Sequence, residues 1–231
     1  MWKFEVLMAA GTIVSLFAGQ AQAAPVLCSG TTDTVTSGQS VDETFLLTPG
    51  NCVLAGDKFF GGFAVGGSEP GTGSVAFIFA ATPGDVTIGF NGAIGPNKTG
   101  TLAYTVAVDP ALSKGWMITD VEKDFTLNAA IPGAIASATL TGTTNPLTSP
   151  AVNIDCTRKV NPSSSTCPET ATFAAVSQLT LDETITTGAN AIVTALTDTI
   201  SQTPPAIPEP ATLLILASGL LGMSWLCRRR G

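Results

Sequence analysis

Asp120, Glu122 and Asp124 alternate along one short segment, with Lys123 among them. In an extended chain successive side chains point to opposite faces, so carboxylates two residues apart share a face. A row of this kind supplies oxygen ligands for Ca²⁺ or the acid and base of glycoside hydrolysis. More often it is the solvated face or the tip of a hairpin, and that is the reading adopted. With Lys123 the row could instead form a site at the rim of the fold. Asp182-Glu183 is a weaker acidic pair. Phe59, Phe60, Phe63 and Trp116 are the aromatics available for stacking on a sugar. Phe59 and Phe60 are adjacent and face opposite ways in a strand, yet a sandwich buries its aromatics first, so core packing is expected.

The rest of the inventory excludes more than it offers. The 231 residues contain no histidine, which removes every mechanism built on an imidazole base or ligand, Ser-His-Asp and Cys-His arrangements included. There is no Gly-x-Ser-x-Gly elbow and no P-loop. Gly66-Gly67-Ser68-Glu69-Pro70-Gly71 lacks the lysine and the strand–helix setting of a phosphate cradle and reads as a flexible hairpin. No catalytic residue, metal site or cofactor is assigned, and enzyme activity is not expected. Between Ala24 and Thr203, six basic residues stand against fifteen acidic ones. A surface so acidic repels phosphate backbones, so nucleic acid is not an expected partner. Asn97-Lys98-Thr99 matches an N-glycosylation sequon and reads equally as a turn.

The elements that must carry these residues are strands. Leu102, Tyr104, Val106 and Val108 alternate with Thr101, Ala103, Thr105 and Ala107. Val86, Ile88 and Phe90 alternate in the same way, as do Phe125, Leu127 and Ala129, and Leu179, Leu181 and Ile185. Val75–Phe79 is apolar on both faces and is expected to be a central strand. Pro49-Gly50-Asn51, Pro83-Gly84-Asp85, Asn91-Gly92 and Pro132-Gly133 are among the turn signals between the runs. A helix is arguable only at Ala189–Ile200, where β-branched residues favour a strand. Short strands and turns without a long helical pattern indicate an all-β, antiparallel β-sandwich over residues 24–202.

The termini set the context. Residues 1–23 have the basic start, apolar stretch and Ala21-Gln22-Ala23 site of a secretory signal peptide, with cleavage between Ala23 and Ala24. Export to an oxidising compartment favours disulfides among Cys28, Cys52, Cys156 and Cys167. Four cysteines permit three connectivities; Cys28–Cys52 and Cys156–Cys167 are favoured because short loops close most readily. Residues 203–207 are a proline-stiffened linker. Ala211–Cys227 then gives 17 residues, about 25 Å of helix, enough for one transmembrane helix with some thinning of the bilayer. Arg228, Arg229 and Arg230 follow and would stay in the cytoplasm.

Pro208-Glu209-Pro210, the apolar span and the arginines occur in the order of the PEP-CTERM sorting signal, and residues 208–231 resemble that family's tail. The resemblance implies an exported bacterial protein whose tail is recognised by an exosortase-type transpeptidase near Pro208-Glu209-Pro210. It implies membrane anchoring during transit, then a cell-surface or extracellular location with exopolysaccharide as a partner. More faintly, Cys52 followed by Gly56-Asp57-Lys58-Phe59-Phe60, then Tyr104-Thr105-Val106, the pair Cys156 and Cys167 and a Thr-rich close, resembles a recurrent PEP-CTERM ectodomain, with Val53-Leu54-Ala55 as a departure. That likeness brings no biochemical activity with it. The expected function is that of an exported, matrix-associated structural protein, with a calcium-assisted carbohydrate-binding or adhesive module as the alternative.

Overall fold

A computed structural model describes residues 27–67, 73–80, 82–128, 133–145, 152–160 and 164–205. The signal peptide with its Ala23–Ala24 junction, Pro208-Glu209-Pro210, the membrane span and Arg228–Arg230 lie outside the described residues.

Two sheets face each other. The eight-stranded sheet runs in the spatial order β1 (Thr32–Val35), β3 (Cys52–Ala55), β4 (Lys58–Gly67), β7 (Thr99–Val108), β13 (Gln178–Thr187), β9 (Ile135–Asn145), β10 (Val152–Lys159) and β11 (Ser164–Ser165). The six-stranded sheet runs β12 (Glu169–Val176), β8 (Met117–Asn128), β14 (Ile192–Thr203), β6 (Val86–Ile94), β5 (Ser74–Phe79) and β2 (Gln39–Asp42). Among the described residues every pairing is antiparallel except β1 with β3. One short helix, α1 (Glu43–Leu47), follows β2; Asp42 caps it by accepting from the Thr44 N–H at 2.8 Å, and Leu46 is buried. Within the region 189–200 the chain turns at Ala189 and Asn190 and then enters strand β14 from Ile192, as its branched residues required.

The period of two governs what is buried. In β7, Leu102, Tyr104 and Val106 turn inward; in β13, Leu179, Leu181 and Ile185 do so. Phe60 from one sheet meets Phe77 from the other with ring centroids 5.2 Å apart, and Phe63 stacks on Tyr104 at 5.5 Å. The first contact fastens the two sheets together, and the second packs the neighbouring strands β4 and β7 of one sheet, both through large apolar area and ring packing. The two-sided reading of Val75–Phe79 needs correction. β5 has only the four-residue β2 between it and the sheet edge, and Ile78 is 54% exposed on the outer face. The apolar run covers one buried face, not two.

Both favoured disulfides are present. Cys28–Cys52 (Cα–Cα 5.4 Å) ties the entry of the domain to β3 beside the parallel pair, and Cys156–Cys167 (5.2 Å) ties β10 to the segment before β12. Between β3 and β4 the chain reverses in two residues. Gly56, with φ of 62°, takes the first central position, the left-handed geometry of a II′ turn that favours glycine.

Candidate functional site

The candidate carboxylates lie on β8, whose two faces differ in kind. Asp120, Glu122 and Asp124 do share one face, the outer one, and all three are half-buried. Each has a local partner. Thr119 donates to Asp120 at 3.1 Å, Thr170 of the neighbouring β12 donates to Glu122 at 3.4 Å, and Arg158 of β10 pairs with Asp124 at 2.6 Å. Among the described residues no three side chains of the metal-binding types gather closely enough to hold an ion. The row is a hydrogen-bonded sheet surface.

Lys123 is not at the rim. It turns to the opposite face, between Val121 and Phe125, with no exposed side-chain surface. Its ammonium lies 2.9 Å from an oxygen of Asp198, the residue directly across from it on β14, and in contact with Oε1 of Glu183 on β13 of the other sheet. The Tyr104 hydroxyl of β7 donates to the second oxygen of Asp198 at 2.7 Å. Two residues from each sheet therefore meet in one polar cluster inside an apolar core. Asp182, next to Glu183, is exposed and faces outward, so that acidic dipeptide splits between the two faces.

Burial sets the protonation of this cluster. Removal from water pushes the Glu183 carboxyl up; Lys123 pulls it down, the Asp198 charge adds to the rise, and it comes to rest at about 7. The same desolvation lowers Lys123, yet the charges of Asp198 and Glu183 outweigh it and hold the ammonium above its ordinary value. Burial, then the neighbouring Asp198, pushes Tyr104 well above the usual phenol range, so it stays a donor. Below neutrality Glu183 holds a proton, and one ammonium then balances one carboxylate. Glu183 Oε2 has no hydrogen-bond partner among the described residues, an arrangement costly in a dry interior.

A second buried lysine makes a smaller site. Lys58, at the start of β4, bonds Asp57 at 3.0 Å and the Gly84 carbonyl. Burial lowers it, against the opposing charges of Asp57 and Asp85. Phe60 and Phe63 are in the core, which removes Phe60 as an exposed sugar platform, while Phe59 and Trp116 are half-buried. Asn97, with φ of 55°, occupies the turn between β6 and β7.

The inner cluster was not singled out from the sequence, although a signal for it exists. Lys123 falls between Val121 and Phe125, Glu183 between Leu181 and Ile185, and Asp198 between Leu196 and Ile200. Each charge thus interrupts an inward-facing apolar stripe at the same parity.

Comparison with known proteins addresses the tail. No curated protein matches the chain. Among solved structures, that of TmCBM61 in complex with β-1,4-galactotriose aligns with 62% of this chain and 88% of its own, at 11% identity and a TM-score of 0.33. Residues 206–230 match the family model of the PEP-CTERM protein-sorting motif. They begin just beyond Thr203, the last residue of β14, and include Pro208, Glu209, Pro210 and Arg228–Arg230. The chain therefore carries a PEP-CTERM protein-sorting motif immediately after the last strand of its sandwich.

Proposed function

We propose that this is an exported structural protein of the cell surface or extracellular matrix, delivered by an exosortase-type system that acts on the tail. The observation that carries this reading is the sorting-motif match over 206–230 placed directly behind a strand that is central to its sheet. β14 has β8 on one side and β6 on the other, so the sorted segment is joined to the core of the domain and not to a frayed edge. Two disulfides suit the oxidising exterior. The tail residues are a substrate signal, and the sandwich is the passenger. Exopolysaccharide is the partner that the destination suggests.

Mass spectrometry of the protein recovered from its native host tests this. Termini at Ala24 and near Pro208 are expected. Surface protein that uniformly retains Arg228–Arg230 would refute processing of the tail. The carbohydrate-binding alternative is weaker: Phe60 and Phe63, two of its aromatic candidates, are core residues. Trp116 stays available to it, and a glycan array that loses signal in Trp116→Ala would be needed to revive it.

A further inference from the structure

We infer that Lys123 and Asp198 become joined by an intramolecular amide bond, with Glu183 carrying the proton between them. The reacting pair is already assembled. The two residues are registered opposite each other on adjacent strands, Nζ lies 2.9 Å from Oδ1 of Asp198, and both side chains have no exposed surface. Held this way the step is unimolecular, and well-oriented intramolecular reactions reach effective molarities on the order of 10⁵–10⁸ M.

Every atom the reaction needs is present. A proton passes from the ammonium to the Asp198 carboxylate, leaving a neutral amine and a carboxylic acid. The Nζ lone pair then attacks Cγ of Asp198. The negative charge develops on Oδ2, which the Tyr104 hydroxyl already holds at 2.7 Å, the placement an oxyanion donor requires. Glu183 touches Nζ through Oε1, and its Oε2 has no hydrogen-bond partner among the described residues. With Glu183 entering as the neutral acid protonated on Oε2, Oε1 accepts the amine proton while Oε2 gives its proton to the departing Oδ1. The Cγ–Oδ1 bond breaks, water leaves, and Glu183 ends in the state in which it began. No oxidant, reductant or co-reactant enters.

The interior also favours the product. A buried ion pair carries a desolvation cost that its mutual attraction repays poorly, whereas an amide is neutral and the expelled water returns to solvent. Lys58 provides an internal contrast. It is just as buried, but its carboxylate partner is its own chain neighbour Asp57. Among the described residues no hydroxyl donates to that carboxylate and no second carboxylate lies within ion-pair distance of the ammonium, the Asp85 charge acting only from further off. One amide is therefore expected. It would tie β14, the strand that leads to the sorting motif, to β8 across a sequence separation of 75 residues.

The experiment is peptide mapping and mass measurement on the folded full chain after reduction and alkylation. The expected result is the loss of one water, about 18 Da as for any single condensation, with fragment spectra placing it between Lys123 and Asp198. Trypsin should fail to cut after Lys123 and should cut normally after Lys58. Glu183→Gln, checked for folding by circular dichroism, should show the unmodified mass. An unmodified wild-type mass with cleavage after Lys123 overturns the proposal and requires no variant. A link from Lys123 to Glu183 overturns the assignment of roles, and full bond formation in folded E183Q overturns the part given to Glu183.

Discussion

The two faces of β8 carry nearly the same chemistry and make opposite use of it. Outside, Asp120, Glu122 and Asp124 sit beside a threonine, another threonine and an arginine. Water reaches them, and their Coulomb energies are damped to the modest scale of exposed pairs. Inside, a displacement of one residue puts Lys123 among apolar side chains with Asp198, Glu183 and Tyr104. There the same kinds of charge shift each other's protonation, and removing Lys123 leaves Glu183 without an ion-pair partner while removing Asp198 leaves the Tyr104 hydroxyl without its acceptor. A motif search weights the outer row because three acids in alternation are conspicuous. Burial assigns the consequences to the single residue between them.

The sharpest way to break this contrast is Lys123→Met. It fills the space but strands Asp198 and Glu183 and removes the Lys123–Asp198 link with them, so a loss of at least about 5 kcal/mol is expected, the upper end for a severed buried pair alone, measured by chemical denaturation. Lys58→Met strands only Asp57, which lies in the β3–β4 turn, and should cost about 3 kcal/mol by the same reasoning. Equal losses would show that the second carboxylate adds nothing.

Titration sharpens the comparison further. Glu183 is raised to about 7 in the folded protein from an ordinary 4.5, with burial as the largest cause. The folded state therefore binds more protons than the unfolded state between those values, and stability falls as pH rises through that window. The drop is about 3 kcal/mol, at 1.36 kcal/mol per pH unit. Denaturation midpoints from pH 4.5 to 7 should show the decline in the wild type and a shallower one in Glu183→Gln. Burial persists whether Lys123 is free or acylated, so the sign does not depend on the amide bond.

The strands were legible because alternation is a local property: β7, β8 and β13 declare their inward residues by parity alone. The failures are of a different kind. Ile78 could not be assigned to the exterior from the sequence, since an apolar residue gives no sign of which face lacks a second sheet. Lys123 stands among acidic residues in the sequence, although parity sets it beside Val121 and Phe125. Its true partners lie 60 and 75 positions away in the chain, a pairing fixed only when β13 and β14 take their places in facing sheets. The tail is the opposite case. It is read in linear order, so Pro208-Glu209-Pro210, the apolar run and the arginines could be recognised without any fold.

The smallest expected effect belongs to the outer face and makes the comparison quantitative. Arg158 and Asp124 are 31% and 33% exposed and lie 2.6 Å apart; the guanidinium also rests 5.9 Å from the centroid of Phe125. A pair this open is worth about 0.2–1 kcal/mol, and the arginine's contact with the ring adds at most a similar amount. Arg158→Ala should therefore lower stability by about 1 kcal/mol, and added salt should narrow the gap as screening weakens the exposed ion pair. Lys123→Met should be nearly insensitive to the same salt, because its partners are sealed from solvent. If Arg158→Ala proved as costly as Lys123→Met, exposure would not be what separates the two faces of β8, and the inner cluster would lose its special standing.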